Sequence, residues 1–149
     1  CINRLNRPGV RIAFAQDLIT LSRCAIDVSD GLVADIGHIM EQSNCGVIIE
    51  LGKVPVSPSV RYYFSQKMEG KIDGNPDDFI DWSLLLTGGD DYELCFTVEP
   101  GREDEVHSLA EKHGLMVSCI GTVTGDHGMH ILDVNNEPVN LDGVGYQHF

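Results

Sequence analysis

The chain has 149 residues, 42% of them apolar and 22% charged, and its 23 acidic and 10 basic side chains give a formal net charge of −13. That length is one ordinary domain, able to bury a core without disulfide or metal staples. The acidity argues against nucleic acid and anionic membrane surfaces, both of which are met by neutralising phosphates with Lys and Arg. No run approaches the ~20 apolar residues of a membrane span, and no basic-then-apolar leader opens the chain. Solubility is the plainest reason for such acidity; an enzyme meeting an anionic substrate through Mg²⁺ is also compatible with it. Cysteines stand at 1, 24, 45, 95 and 119 without a CxxC, a pattern of reduced thiols in a cytoplasmic protein. Cys95 and Cys119 lie in strand-like runs and are expected in strand cores. The chain begins at Cys1 rather than Met, and its Arg- and Pro-bearing start has linker chemistry. The expectation is one domain, 1–149, cut from a longer chain, with 1–9 as linker.

In chain order, 10–23 is predicted as a helix with Ile12, Leu18, Ile19 and Leu21 inward. Strand alternation follows over 23–29, with Cys24, Ile26 and Val28 on one face and Ala25, Asp27 and Ser29 on the other. Asp30-Gly31 breaks it, and Leu32, Ile36, Ile39 and Met40 fall at helical spacing as far as about Ser43. A second strand covers 46–51 and a helix 58–68. A polar turn occupies 73–78, and a short helix covers 79–86, with Phe79, Trp82 and Leu84 to Leu86 as core. The run 92–98 alternates, placing Tyr92, Leu94, Phe96 and Val98 on one face. An amphipathic helix over 103–113 ends at Gly114. Strands are expected at 115–123, 129–134 and 138–141. The mixed order reads as α+β, with helices packed on a sheet.

Two segments carry chemistry. The first is Asp27-Val28-Ser29-Asp30-Gly31-Leu32, where a strand hands over to a helix. It places two carboxylates and a hydroxyl within four residues, and Mg²⁺ commonly takes one or two protein carboxylates together with phosphate oxygens. Asp30 is expected at the helix start, where backbone N–H groups meet phosphate. Gly31 permits a tight turn or a close approach. Helix capping accounts for Ser29 or Asp30 equally well, so residue chemistry leaves both readings open. The second segment is Thr87-Gly88-Gly89-Asp90-Asp91-Tyr92-Glu93-Leu94, an acidic turn hinged on glycines ahead of a strand. Its carboxylates could face a metal or a cationic group, although a helix C-cap and turn would use the same residues. His127 and His130 read as solvent-facing, Asp35 as a solvated helix residue, and His38 as structural.

Together these segments resemble the thiamine-monophosphate kinase family. Its members carry Asp-x-Ser-Asp-Gly-Leu, then Asp and His on the next helix, then Gly-Gly-Glu-Asp-Tyr-Glu-Leu, and end in Gly-aromatic-x-His-Phe. This chain has 27–32, Asp35 and His38, 88–94, and a tail of Gly145-Tyr146-Gln147-His148-Phe149. The resemblance runs from about Arg7 to the last residue. It implies a layered α/β/α domain with a mixed sheet, like the C-terminal domain of aminoimidazole ribonucleotide synthetase. It also implies ATP-dependent phosphorylation of thiamine phosphate to thiamine diphosphate by a two-domain protein, homodimeric through an N-terminal ATP-binding half. By the same resemblance, Asp27 and Asp30 are Mg²⁺ ligands and Ser29 contacts ATP. Asp90 contacts thiamine phosphate, Tyr146 either stacks on its thiamine ring or serves as an aromatic plug at the domain edge, and no covalent nucleophile is involved. Asp90 replaces the family's Glu and is shorter by one methylene. The stretch 60–82 is longer than the family's and reads as an insertion. This half alone is expected not to turn over. Another synthetase of the same superfamily, or a binding module with this fold, is the alternative.

Overall fold

The computed structural model describes residues 6–67 and 79–140. In order it holds α1 (Ile12–Leu18), β1 (Cys24–Asp27), α2 (Leu32–Ser43), β2 (Gly46–Glu50), a 3₁₀ turn at Leu51–Lys53, α3 (Pro58–Lys67), α4 (Trp82–Thr87), β3 (Leu94–Thr97), α5 (Glu103–Lys112), β4 (Gly121–Thr124) and β5 (Gly128–Leu132). The predicted tail strand at 138–141 reduces, among described residues, to a bridge between Leu132 and Pro138. The predicted turn at 73–78 and Tyr146 lie outside the described residues.

β2 is the centre of a three-stranded sheet, antiparallel to β4 and parallel to β5. Its Val47 and Ile49 pack with Leu51, with Val33, Ile36 and Met40 of α2, with Leu86 of α4 and with Ile131 of β5. Fully burying a side chain such as Ile49 or Leu51 contributes roughly 1.5–3 kcal/mol. β1 and β3 form a separate antiparallel pair, with Cys24 opposite Thr97 and Asp27 opposite Leu94. Alternation along β3 sends its two faces to different layers. Leu94 and Phe96 pack on Phe14 and Leu18 of α1 and Ala110 of α5, while Cys95 packs on the larger core beneath α2. The result is a layered α+β arrangement containing a mixed sheet.

Several expectations are corrected. The first helix is shorter than 10–23, and its Ile12 and Ile19 are 61% and 73% exposed. Phe14 and Leu18, one turn apart, form the inward stripe instead. Tyr92 is not in the strand: its φ is 52° and β3 starts at Leu94. The segment 115–120 is irregular, so the strand expected at 115–123 begins only at Gly121, and Cys119 is exposed rather than packed in a strand core. In α4, Leu84 is exposed and Leu86 takes the core position. Burial and the neighbouring Cys24 and Asp35 push the Cys95 thiol up to about 11, so it is a packing group rather than a nucleophile.

Candidate functional site: two interlocked acidic loops

The β1–β3 pairing does not stop where the strands end. The Val28 N–H donates to the Glu93 carbonyl at 2.8 Å, the Tyr92 N–H to the Val28 carbonyl at 2.8 Å, and the Asp90 N–H to the Ser29 carbonyl at 2.9 Å. These three bonds zip the segment 28–30 along 90–93 and bring the two acidic motifs side by side. The glycines make the approach possible. A Cβ on Gly31, whose φ is +113°, would lie 2.8 Å from the Thr87 carbonyl oxygen. A Cβ on Gly89 would collide with the Ser29 carbonyl oxygen. Each motif therefore uses a glycine to admit the backbone of the other, a constraint that neither motif reveals when read alone.

The exposed edge of this pairing is acidic. Asp27, Asp30 and Asp90 are all exposed, and Ser29 is half-buried between them. The strand alternation holds through Asp27, where β1 ends, so Ser29 belongs to the loop. Asp30 is not the first helical residue: Gly31 is the cap and α2 starts at Leu32. The Tyr92 hydroxyl donates to Asp90 Oδ1 at 3.0 Å. That bond, the charge of Asp90, and the more distant charges of Asp27 and Asp30 hold the phenol above its ordinary range. One hydroxyl thus senses carboxylates from both motifs. Asp90 and Tyr92 have positive φ values, 69° and 52°. Such backbone is costly for residues other than glycine and concentrates at functional sites; here the zipper of backbone bonds holds it. On the flank, Arg11 grips Glu93 with two bonds, Nε to Oε2 at 2.9 Å and Nη2 to Oε1 at 2.8 Å, tying the start of α1 to the second loop.

Asp35 is not a solvated helix residue. It is 2% exposed, and its Oδ2 accepts the N–H groups of Ser29 at 3.0 Å and Asp30 at 3.1 Å. The sequence carried a signal for this: Leu32, Asp35, Ile36, Ile39 and Met40 occupy the i, i+3, i+4, i+7, i+8 stripe of a buried helix face, and a carboxylate at a core position requires partners. His38, by contrast, is half-exposed and 3.9 Å from Glu41. Asp30, Asp35 and His38 each bring one ligand-type atom within 4.8 Å of the others, the one such grouping among the described residues. His127 and His130 are exposed. As a donor set for Mg²⁺, the exposed hard oxygens of Asp27 and Asp30 fit that ion's preference for carboxylates combined with ligand phosphate. The described residues thus place Asp27, Ser29, Asp30 and Asp90 together.

These features define a layered α+β domain whose acidic chemistry is gathered on one glycine-locked pair of loops. The chain belongs to the family of AIR synthase related protein, C-terminal domain, whose pattern matches residues 7–133. The thiamine-monophosphate kinase of Escherichia coli K12 is 38% identical over 148 residues, 99% of this chain and 42% of the relative. The crystal structure of thiamine-monophosphate kinase from Stenotrophomonas maltophilia K279a superposes with a TM-score of 0.69 at 36% identity, covering 87% of this chain and 37% of that one. The structure of AaThiL complexed with AMPPCP and TMP superposes at 0.65 and 29% identity, covering 99% of this chain and 40% of that one. The chain thus spans about two fifths of the length of the curated relatives it matches.

Proposed function

We propose that this chain is the C-terminal domain of a two-domain thiamine-monophosphate kinase, which moves the γ-phosphoryl group of ATP onto thiamine phosphate to give thiamine diphosphate. The observation that carries the reading is the interlocking of the Asp27–Asp30 and Gly89–Tyr92 loops. It joins the two motifs on which the resemblance to thiamine-monophosphate kinases rests. Asp27 and Asp30 would hold Mg²⁺, Ser29 would contact ATP, and Asp90 and Tyr146 would contact thiamine phosphate. The ion would neutralise charge spread over the phosphoryl oxygens.

The chain's own groups supply position. The zipper of backbone bonds fixes Ser29 and Asp90 relative to each other, and the Tyr92 hydroxyl fixes the Asp90 carboxylate. Such positioning, rather than covalent chemistry, carries most of the work in phosphoryl transfer. An oxygen of thiamine phosphate attacks the γ-phosphorus in line, the bond to the β-phosphate oxygen breaks, and ADP leaves. The protein would be cytoplasmic and homodimeric through an N-terminal half that supplies the remaining ATP contacts. It would act on neither nucleic acid nor membrane; no described helix is long and apolar enough to cross one.

The test is the full-length protein with ATP, Mg²⁺ and thiamine phosphate, read as thiamine diphosphate formed. Wild type is expected to turn over, and Asp30→Asn to lose about 100-fold or more in kcat/KM, the scale of removing one preorganised charge from a phosphoryl-transfer site. No product from the wild type would remove the kinase reading.

A further inference from the structure

We propose that Asp35 is the positioning residue of the site: its buried carboxylate holds the Ser29–Asp30 turn in the shape that aims Ser29 and Asp30, without itself ligating metal or substrate. The inference rests on the kinase reading for its activity arm only.

Three observations carry it. Asp35 is 2% exposed, so its charge has been taken out of water and must be compensated. The compensation is specific: Oδ2 alone accepts both the Ser29 and Asp30 N–H groups, at 3.0 and 3.1 Å. Those two N–H groups lie immediately before the cap of α2, and the cap residue, Gly31, has no side chain to bond them. In an ordinary capping box the third helical residue reaches back to the cap N–H. Here the fourth helical residue reaches back past the cap and secures the two residues ahead of it. A carboxylate in a first turn is favoured by the helix dipole as well.

The consequence is a chain of support. The Ser29 carbonyl is bound by the Asp90 N–H, the Ser29 N–H is bound by Asp35, and the Ser29 peptide is therefore gripped on both sides. The Ser29 hydroxyl and the Asp30 carboxylate project from a turn that cannot relax. Without Asp35, two part-buried donors lose their acceptor and the turn is free to reorient.

Substitution distinguishes this role from metal ligation, for which Asp35 also lies in reach of Asp30 and His38. One oxygen does the accepting, so Asn, with one carbonyl oxygen in the same place, can replace Asp. Glu keeps the charge but overshoots by a methylene in a packed site. Positioning therefore ranks Asp35→Asn above Asp35→Glu and Asp35→Ala, whereas a ligand or charge role ranks Glu above Asn.

The experiment compares full-length wild type, Asp35→Asn, Asp35→Glu, Asp35→Ala and Asp30→Asn in two readouts. The first, independent of any reaction, is amide hydrogen exchange at Ser29 and Asp30. Protection is expected to persist in Asp35→Asn and to fall in Asp35→Ala. The second is turnover as a function of Mg²⁺ concentration. Asp35→Asn should stay within about threefold of wild type. Asp35→Ala and Asp35→Glu should lose roughly 100-fold in kcat/KM, the scale on which small misplacements act. Should Asp35→Ala fail to fold, the order of Asn against Glu still decides. Unchanged exchange at Ser29 and Asp30 in Asp35→Ala overturns the proposal. So does an Asp35→Asn variant as impaired as Asp30→Asn. If the wild type makes no thiamine diphosphate, the kinase reading fails while the exchange result still judges the turn.

Discussion

β2, in the middle of the three-stranded sheet, buries Gly46, Val47 and Ile49, whereas no residue of β1 or β3 is buried to the same degree. The first sheet carries the main core; the second is a short ladder that runs on into two acidic loops. The difference teaches where each kind of free energy resides. Around β2, stability comes from apolar area, which is non-directional and tolerant of shape. Around the β1–β3 extension, order comes from backbone hydrogen bonds, glycine contacts and one buried carboxylate, which are directional and intolerant of even a single added carbon. Substitutions in the two regions should therefore fail in different ways.

The largest effect is expected at the point where the loops touch. Gly31→Ala must accept both a φ of +113° and a Cβ against the Thr87 carbonyl. Backbone strain of this kind costs about 1–3 kcal/mol, and the loops must part to relieve it. Turnover by the full-length protein should drop by about 100-fold, alongside a lower urea midpoint. Wild-type activity in Gly31→Ala would mean that the loops need not interlock. Ile49→Ala, at a fully buried position of β2, should show the opposite balance. About 2–5 kcal/mol of stability is lost to the cavity, with the Mg²⁺ dependence of turnover unchanged below the melting range. A shift in that dependence would blur the division between regions.

The smallest effect belongs to neither sheet. Asp17 on α1 accepts from Lys112 Nζ at 2.8 Å and lies 2.9 Å from His113 Nε2, pinning α5 to α1. Lys112 first and His113 second hold its carboxyl below the ordinary value of 3.8. The stability this contributes is present above that value and is lost as pH falls through the lowered folded value. Asp17→Asn should lower the thermal midpoint at neutral pH by a small margin, because the group is exposed, and converge with wild type in acid, where Asp17 is itself protonated. A midpoint deficit of equal size at neutral and at acid pH would assign Asp17 another role.

How much of this was legible in the sequence follows the same division. Periodicity located α2, β2 and α5 closely, because their apolar spacing reflects burial against a single core. It overextended the first helix, since Ile12 and Ile19 satisfy a helical pattern yet face water. It also carried the third strand back to Tyr92, because alternation cannot register a positive φ. The motifs and their family resemblance marked Asp27, Ser29, Asp30 and Asp90 as candidates, and the structure pairs the two loops that carry them. What no local pattern revealed was that Gly31 and Gly89 each admit the backbone of the other loop, and that Arg11 reaches Glu93, because these contacts join residues far apart in the chain. Asp35 was legible only as a polar residue on an apolar stripe, a signal that marks burial but not the partner.

The most direct test of the claim that two loops form one site is a double-mutant cycle in the full-length protein. It compares Asp30→Asn, Asp90→Asn and the pair by kcat/KM for thiamine phosphate. A shared site predicts that the double variant differs from the sum of the singles by about 1–3 kcal/mol. Additivity within about 0.5 kcal/mol, the behaviour of independent positions, would contradict the account and leave the two motifs as neighbours without common work.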